Sequence, residues 1–136
     1  MIEINDNGPA PFVGNIENFT LGNENYRTTL WTGSNLQITL MAILPGHDIG
    51  MEVHMDHDQF LRIEQGQATV QMGPDESQLQ TWQAGDNDAI VVPAGTWHNL
   101  VNSGEEVLKV YSIYAPPEHP HGTVHVTKED AEAGEN

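Results

Sequence analysis

The sequence predicts an all-β fold of the sandwich or barrel kind, with one short helix near the C-terminus. Three observations carry this. Turn signals recur about every ten residues, the stretches between them are rich in β-branched and aromatic side chains, and helical periodicity is nearly absent.

The predicted strands follow in order. They are YRTTLW (26–31), LQITLMAIL (36–44), QFLRIEQ (59–65), QATVQM (67–72), AIVVP (89–93), HNLVN (98–102) and VLKVYSIY (107–114). Punctuation between them comes from Asn7-Gly8-Pro9, Thr32-Gly33-Ser34, Pro45-Gly46, Gln65-Gly66, Gly73-Pro74-Asp75, Ala84-Gly85-Asp86, Pro93-Ala94-Gly95, Asn102-Ser103-Gly104 and Pro116-Pro117. Alternation assigns faces. Arg62 and Glu64 point outward, so Gln59, Leu61 and Ile63 point in. Lys109 points outward, so Leu108, Val110, Ser112 and Tyr114 share the interior. The helix is expected at 127–133, where Thr127 can cap it and Glu129 and Asp130 suit its positive end. Gly134-Glu135-Asn136 should fray, and the first few residues should be loose.

The 136 residues make one domain by size, 1–136, with a barrel core at about 20–116 and a C-terminal tail at 117–136. There is no cysteine, which excludes disulfides, thiolate metal sites and a cysteine nucleophile. The N-terminal stretch has neither a basic segment nor an apolar one, and no run approaches the length of a membrane span. A soluble, cytoplasmic protein is expected. Twenty acidic residues face four basic ones (Arg27, Arg62, Lys109 and Lys128), for a net charge of −16. Such a field repels phosphate backbones and anionic bilayers, so neither nucleic acid nor a membrane is an expected partner. The acids are spread along the chain, as on a solvated surface, which a salt-adapted source would explain.

Two segments carry chemistry. In GHDIGMEVHMDHDQFLRIEQG (46–66), Glu52 and His54 are one residue apart, and on a strand both would project to one face. Gln59 follows on the next inward-facing stretch. Far downstream, His98 sits just past a Pro-Gly turn in PAGTWHNLVN (93–102), where a neighbouring strand would bring it to close the site.

These segments resemble the two motifs of the cupin family. The first, G(X)5HXH(X)3-4E(X)6G, is matched in every spacing by Gly46, Glu52-Val53-His54, Gln59 and Gly66. The second, G(X)5PXG(X)2H(X)3N, is matched by Pro93-Ala94-Gly95, His98 and Asn102, with Gly85 two residues farther from Pro93 than usual. That spacing implies a longer hairpin or a bulge around Asp86-Asn87-Asp88. The wider pattern is similar to small single-domain bacterial cupins. The resemblance implies a cupin double-stranded β-helix, or jelly-roll barrel, and one divalent metal ion (Fe, Mn, Ni or Zn) on Glu52, His54, His98 and Gln59. Two family positions differ: Glu52 stands for a histidine and Gln59 for a glutamate. A carboxylate keeps coordinating ability. The neutral amide of Gln59 would be a fourth ligand, or would hydrogen-bond a metal-bound water or the substrate.

Two imidazoles and one carboxylate make the facial set associated with non-haem Fe(II) oxygenases. The leading expectation is therefore a metal-dependent enzyme acting on a small organic molecule, of oxygenase or dioxygenase type. A metal-dependent sugar isomerase or lyase, and a non-catalytic small-molecule-binding barrel that has lost its metal, stay open beside it, because this fold hosts many chemistries.

Further residues each have a functional and a plain reading. His57, in HMDHD, is a candidate proton shuttle, a partner of His54 as a ligand pair, or an exposed loop histidine. Tyr114 is a candidate general acid or hydrogen-bond donor. Trp97, with Phe60 or Trp31, would line a substrate pocket or simply fill the core. His47 reads as a turn residue. The tail EHPHGTVH (118–125) holds three histidines and reads as a second metal site, a lid, or a packed or partner-crossing tail. Arg27 and Arg62 would bind an anionic substrate or make surface ion pairs or subunit contacts. A homodimer through sheet edges or outer faces is expected.

Overall fold

A computed structural model describes residues 3–133. Its elements run α1 Ile16–Gly22, β1 Arg27–Thr32, β2 Gln37–Ile43, β3 Asp58–Gln65, β4 Ala68–Gly73, β5 Gln80–Ala84, β6 Ala89–Val92, β7 Trp97–Asn102, β8 Leu108–Ala115, β9 Val124–His125 and α2 Lys128–Ala133. All strand pairings are antiparallel. A six-stranded sheet has the order β6-β3-β8-β2-β1-β9, and a three-stranded sheet the order β5-β4-β7. Two isolated bridges, Asp48–Val101 and Glu52–His98, lay the 48–52 segment against the free side of β7.

Alternation fills the space between the sheets as the sequence predicts. Gln59, Leu61 and Ile63 on β3, and Leu108, Val110, Ser112 and Tyr114 on β8, are all buried. The β3–β8 register places Gln59 beside Tyr114, Leu61 beside Ser112 and Ile63 beside Val110. The interior is therefore graded. One end is apolar, with Ile63, Val110, Leu108, Ala68 and Leu100 in one core cluster. The other end carries Gln59, Ser112, Tyr114 and His98. Burying apolar groups holds the first end together, while polar groups buried at the second need partners.

Several features depart from the expectations. Helix α1 falls where no helix was expected. Its seven residues make less than two turns, too few for a period to show. Asn15 caps it by accepting from the Asn18 N–H at 3.0 Å. Ile16 and Phe19 then cover a second cluster built on Leu30, Leu40 and Tyr111. Strand β5 was also missed, because QTWQA is an edge strand exposed along nearly its whole length and shows no alternation of burial. Residues 3–8, expected to be loose, are pinned. Ile4 packs in the second cluster, Asn7 N–H donates to Leu30 O at 2.9 Å, and Asp6 accepts from Thr32 Oγ1 at 2.6 Å.

Charged side chains expected on the surface are partly covered. Glu64 is almost wholly buried beside Arg62 Nε, at 3.0 Å. Lys109 points away from the barrel interior but is buried, its ammonium donating to the Asn23 carbonyl.

The extra length after Gly85 is a turn at Asp86-Asn87, with Asn87 in the left-handed region at φ 73° and its N–H donating to Ile63 O. Helix α2 begins after Thr127 in a reciprocal cap. Asp130 N–H donates to Thr127 Oγ1 at 3.1 Å, and Thr127 N–H donates to Asp130 Oδ2 at 3.3 Å. The expected fraying at 134–136 lies outside the described residues. No helix among the described residues is long and apolar enough to cross a membrane.

Candidate metal centre

Glu52, His54 and His98 converge at the polar end of the barrel. One donor atom from each lies within 4.8 Å of the others. Glu52 Oε1 is 3.4 Å from His54 Nε2 and 3.5 Å from His98 Nε2. The convergence does not rest on the regular strand that the i, i+2 spacing suggested. Glu52 is held by a two-way backbone bridge, Glu52 N–H to His98 O at 3.0 Å and His98 N–H to Glu52 O at 2.9 Å. His54 lies in irregular chain whose carbonyl accepts from Gly95 N–H at 2.8 Å. Gly95, at φ 80°, turns the chain so that β7 starts with His98 facing in.

The donor set fits a divalent cation. His98 Nδ1 donates to the Thr96 carbonyl, 3.0 Å away, which fixes the ring so that Nε2 faces Glu52. His54 Nε2 and His98 Nε2 are both buried without a hydrogen-bond partner. Buried polar atoms left this way are costly unless something else engages them. Burial pushes the Glu52 carboxyl up, but the two rings outweigh it and hold it down at about 2. Burial likewise lowers His54, and the Glu52 carboxylate more than reverses this, so His54 is raised.

A second group shares His54. Glu118 Oε2 is 2.7 Å from His57 Nε2 and 3.5 Å from His54 Nδ1. One donor atom from each of His54, His57 and Glu118 also lies within 4.8 Å of the others. His57 stacks on His54 at 4.6 Å between ring centroids. It is buried, which overturns the reading of an exposed loop histidine.

Glu118 went unnoticed in the sequence, where the histidines around it took the attention. The available signal was its place four residues after inward-facing Tyr114. Gln37 fixes it there. The Gln37 Oε1 accepts from Glu118 N–H at 3.1 Å and His119 N–H at 2.9 Å, and its Nε2 donates to His119 O at 2.8 Å.

The other predicted residues divide. Tyr114 stands edge-on to His54, His57 and His119 at 6.0, 5.9 and 5.4 Å, and burial pushes its hydroxyl up to about 12, so it stays protonated. Gln59 donates to Ser112 Oγ at 2.8 Å, and its Oε1 is buried without a partner. Trp97 is not brought to the cluster. It precedes His98 on β7, so alternation sends it to the opposite face with Asn99 and Val101.

The tail histidines do not meet as a second metal site. His119 packs on Tyr114, and burial, with Arg27 adding to it, drops its ring to about 3. His121 Nε2 lies 2.8 Å from Gly8 O, and His125 Nδ1 lies 3.1 Å from Arg27 Nη1. Among the described residues, neither metal-capable group includes a tail histidine.

A family model described as the cupin domain matches residues 39–114. The chain is 55% identical over 134 residues to the uncharacterized protein YrkC of Bacillus subtilis (strain 168), covering 98% of this chain and 72% of that one. It is 39% identical over 118 residues to the uncharacterized protein L612 of Acanthamoeba polyphaga mimivirus, covering 86% and 72%. The crystal structure of BH2720 from Bacillus halodurans is similar with a TM-score of 0.95 at 55% identity, over 96% of this chain and 99% of that one.

Proposed function

This chain belongs to the cupin domain family, and we propose that it is a metal-dependent enzyme acting on a small organic molecule, of oxygenase type. One observation carries the reading: the Nε2 atoms of His54 and His98 and a carboxylate oxygen of Glu52 face a common point. Two imidazoles and one carboxylate would hold a divalent cation and leave it able to take a substrate as well. A divalent ion held there would supply Lewis-acid activation of a substrate oxygen and, as Fe(II), redox chemistry with O2.

The chain's own residues do the rest. Glu52 is ionised across the physiological range, so it offers its charge without first losing a proton. Glu118 lies 2.7 Å from His57 Nε2, which puts an imidazole and a carboxylate side by side where they could relay a proton to or from a bound molecule. The Tyr114 hydroxyl acts as a donor that does not ionise. Gln59, fixed by Ser112, presents its carbonyl oxygen to a water, a ligand or the cation. Leu61, Ile63 and Val110 below the site exclude water from that side.

A metal-dependent isomerase or lyase is the second reading, and the His57–Glu118 pair favours it, since such reactions move protons beside a carbonyl.

The test begins with elemental analysis of protein purified without a metal-affinity step, then Co(II) titration followed by visible absorption. Wild type should take up one equivalent, and Glu52→Ala or His98→Ala should lose uptake by about tenfold or more. Anaerobic Fe(II) loading and oxygen-uptake assays on diols, diketones and catechols then separate oxygenase from isomerase. Failure to bind any divalent ion would end both readings, and binding without turnover would leave a non-catalytic barrel.

A further inference from the structure

Three of the four basic side chains have settled partners. Arg62 meets Glu64, Lys128 meets Asp48 at 2.5 Å, and Lys109 is bound to the Asn23 carbonyl. Arg27 is different. It is 6% exposed, yet its guanidinium pairs with no carboxylate among the described residues. Its side-chain neighbours are the uncharged face of Tyr26, 5.3 Å from the ring centroid, and His125 Nδ1 at 3.1 Å. Its Nε is buried with no hydrogen-bond partner.

A guanidinium has five N–H donors in a planar fork, and burying it without an anion leaves its desolvation uncompensated. This happens in a chain with twenty acidic residues, where a carboxylate partner would be easy to supply.

Arg27 also lines two cavities. One, of about 230 Å³, is lined by Arg27, Tyr26, Met51, Glu52, Lys128 and Glu132. The other, of about 280 Å³, is lined by Arg27, Glu118, His119 and His125. The carboxylates bordering these spaces are engaged elsewhere: Glu52 and Glu118 are turned to the histidines, and Glu132 lies 4.0 Å from Lys128. We propose that Arg27 is a recognition residue for a small organic acid, its guanidinium pairing with the acid's carboxylate in the cavity it shares with Glu52. The idea rests on the metal-centre reading for what happens next, but not for the binding itself. A guanidinium makes charge-assisted hydrogen bonds to a carboxylate that a neutral amide cannot match. The acidic surface repels anions in general, and this buried cation offers compensation only to one small enough to enter.

The experiment uses the full chain stripped with a chelator and titrated with benzoate and, separately, with its neutral isostere benzamide, followed by 15N-edited NMR of the Arg27 Nε–H. Wild type should bind benzoate at least about tenfold better than benzamide, with the Arg27 Nε–H resonance shifting, and Arg27→Met should lose that preference while Arg27→Lys keeps part of it. Equal binding of the two probes, no binding of either, or an unmoved Nε–H resonance in wild type would overturn the proposal, even if Arg27→Met fails to fold. Co(II) uptake on the same samples tells the two readings apart. Benzoate preference without Co(II) uptake supports Arg27 and sinks the metal centre, and Co(II) uptake without benzoate preference does the reverse.

Discussion

Replacing Gln37 with leucine keeps the shape of a fully buried side chain but removes four hydrogen bonds. Gln37 Nε2 donates to Thr32 Oγ1 at 3.0 Å and His119 O at 2.8 Å, and its Oε1 accepts from the Glu118 and His119 N–H groups at 3.1 and 2.9 Å. Thr32 keeps its bond to Asp6, so the loss falls on three backbone groups of the tail. A buried polar group left without a partner costs about 1–3 kcal/mol, so holding the tail in place would cost about 3–9 kcal/mol in all. The tail has a cheaper choice, which is to lift into water and take Glu118 away from His57. Urea unfolding measures the first outcome, and amide exchange at Glu118 and His119 measures the second. We expect a stability loss of about 3 kcal/mol, or fast exchange at both amides with a smaller loss. In the second case Co(II) affinity should fall by about tenfold, because His54 loses the carboxylate beside its Nδ1. A loss below about 1 kcal/mol with both amides still protected would refute the idea that this one amide holds the tail on the site.

Two further predictions concern the metal-free protein. Glu52 lies at about 2 in the fold against an ordinary 4.5, so its contribution to stability is present above the ordinary value and disappears as the pH falls toward 2. His54 is raised, so its contribution is complete below the ordinary imidazole value of 6.5 and is lost as the pH rises through the raised value. Urea midpoints should therefore peak between these limits, and Glu52→Gln should flatten the acid side; an unchanged acid limb would contradict the assigned contacts. The second concerns assembly. Strand β6 is an open edge, and Val91 on it and Trp82 on β5 are exposed apolar groups. Light scattering should give twice the chain mass, Trp82→Glu with Val91→Glu should halve it, and a monomer in the wild type would dispose of the proposed homodimer.

The barrel was legible because its interior alternates. Leu108, Val110, Ser112 and Tyr114 need only the two-residue period of a strand to be placed inside, and every one is. Glu52, His54 and His98 were legible because family spacing fixed them, although the backbone that joins them is a single bridge and not the strand expected. What failed was short or unpatterned: α1, with less than two turns, and β5, polar along an open edge.

The sequence by itself determined which residues face the interior and which donor atoms are available for a cation, since both follow from local period and residue chemistry. Only the tertiary structure decided that Glu118 joins His57, and that Arg27 is buried with no acid beside it among the described residues. These pairings bring together positions 61 and 98 residues apart, Glu118 with His57 and Arg27 with His125. They depend on how the tail folds back along β1 and over Gln37, and no local pattern in the chain encodes that path.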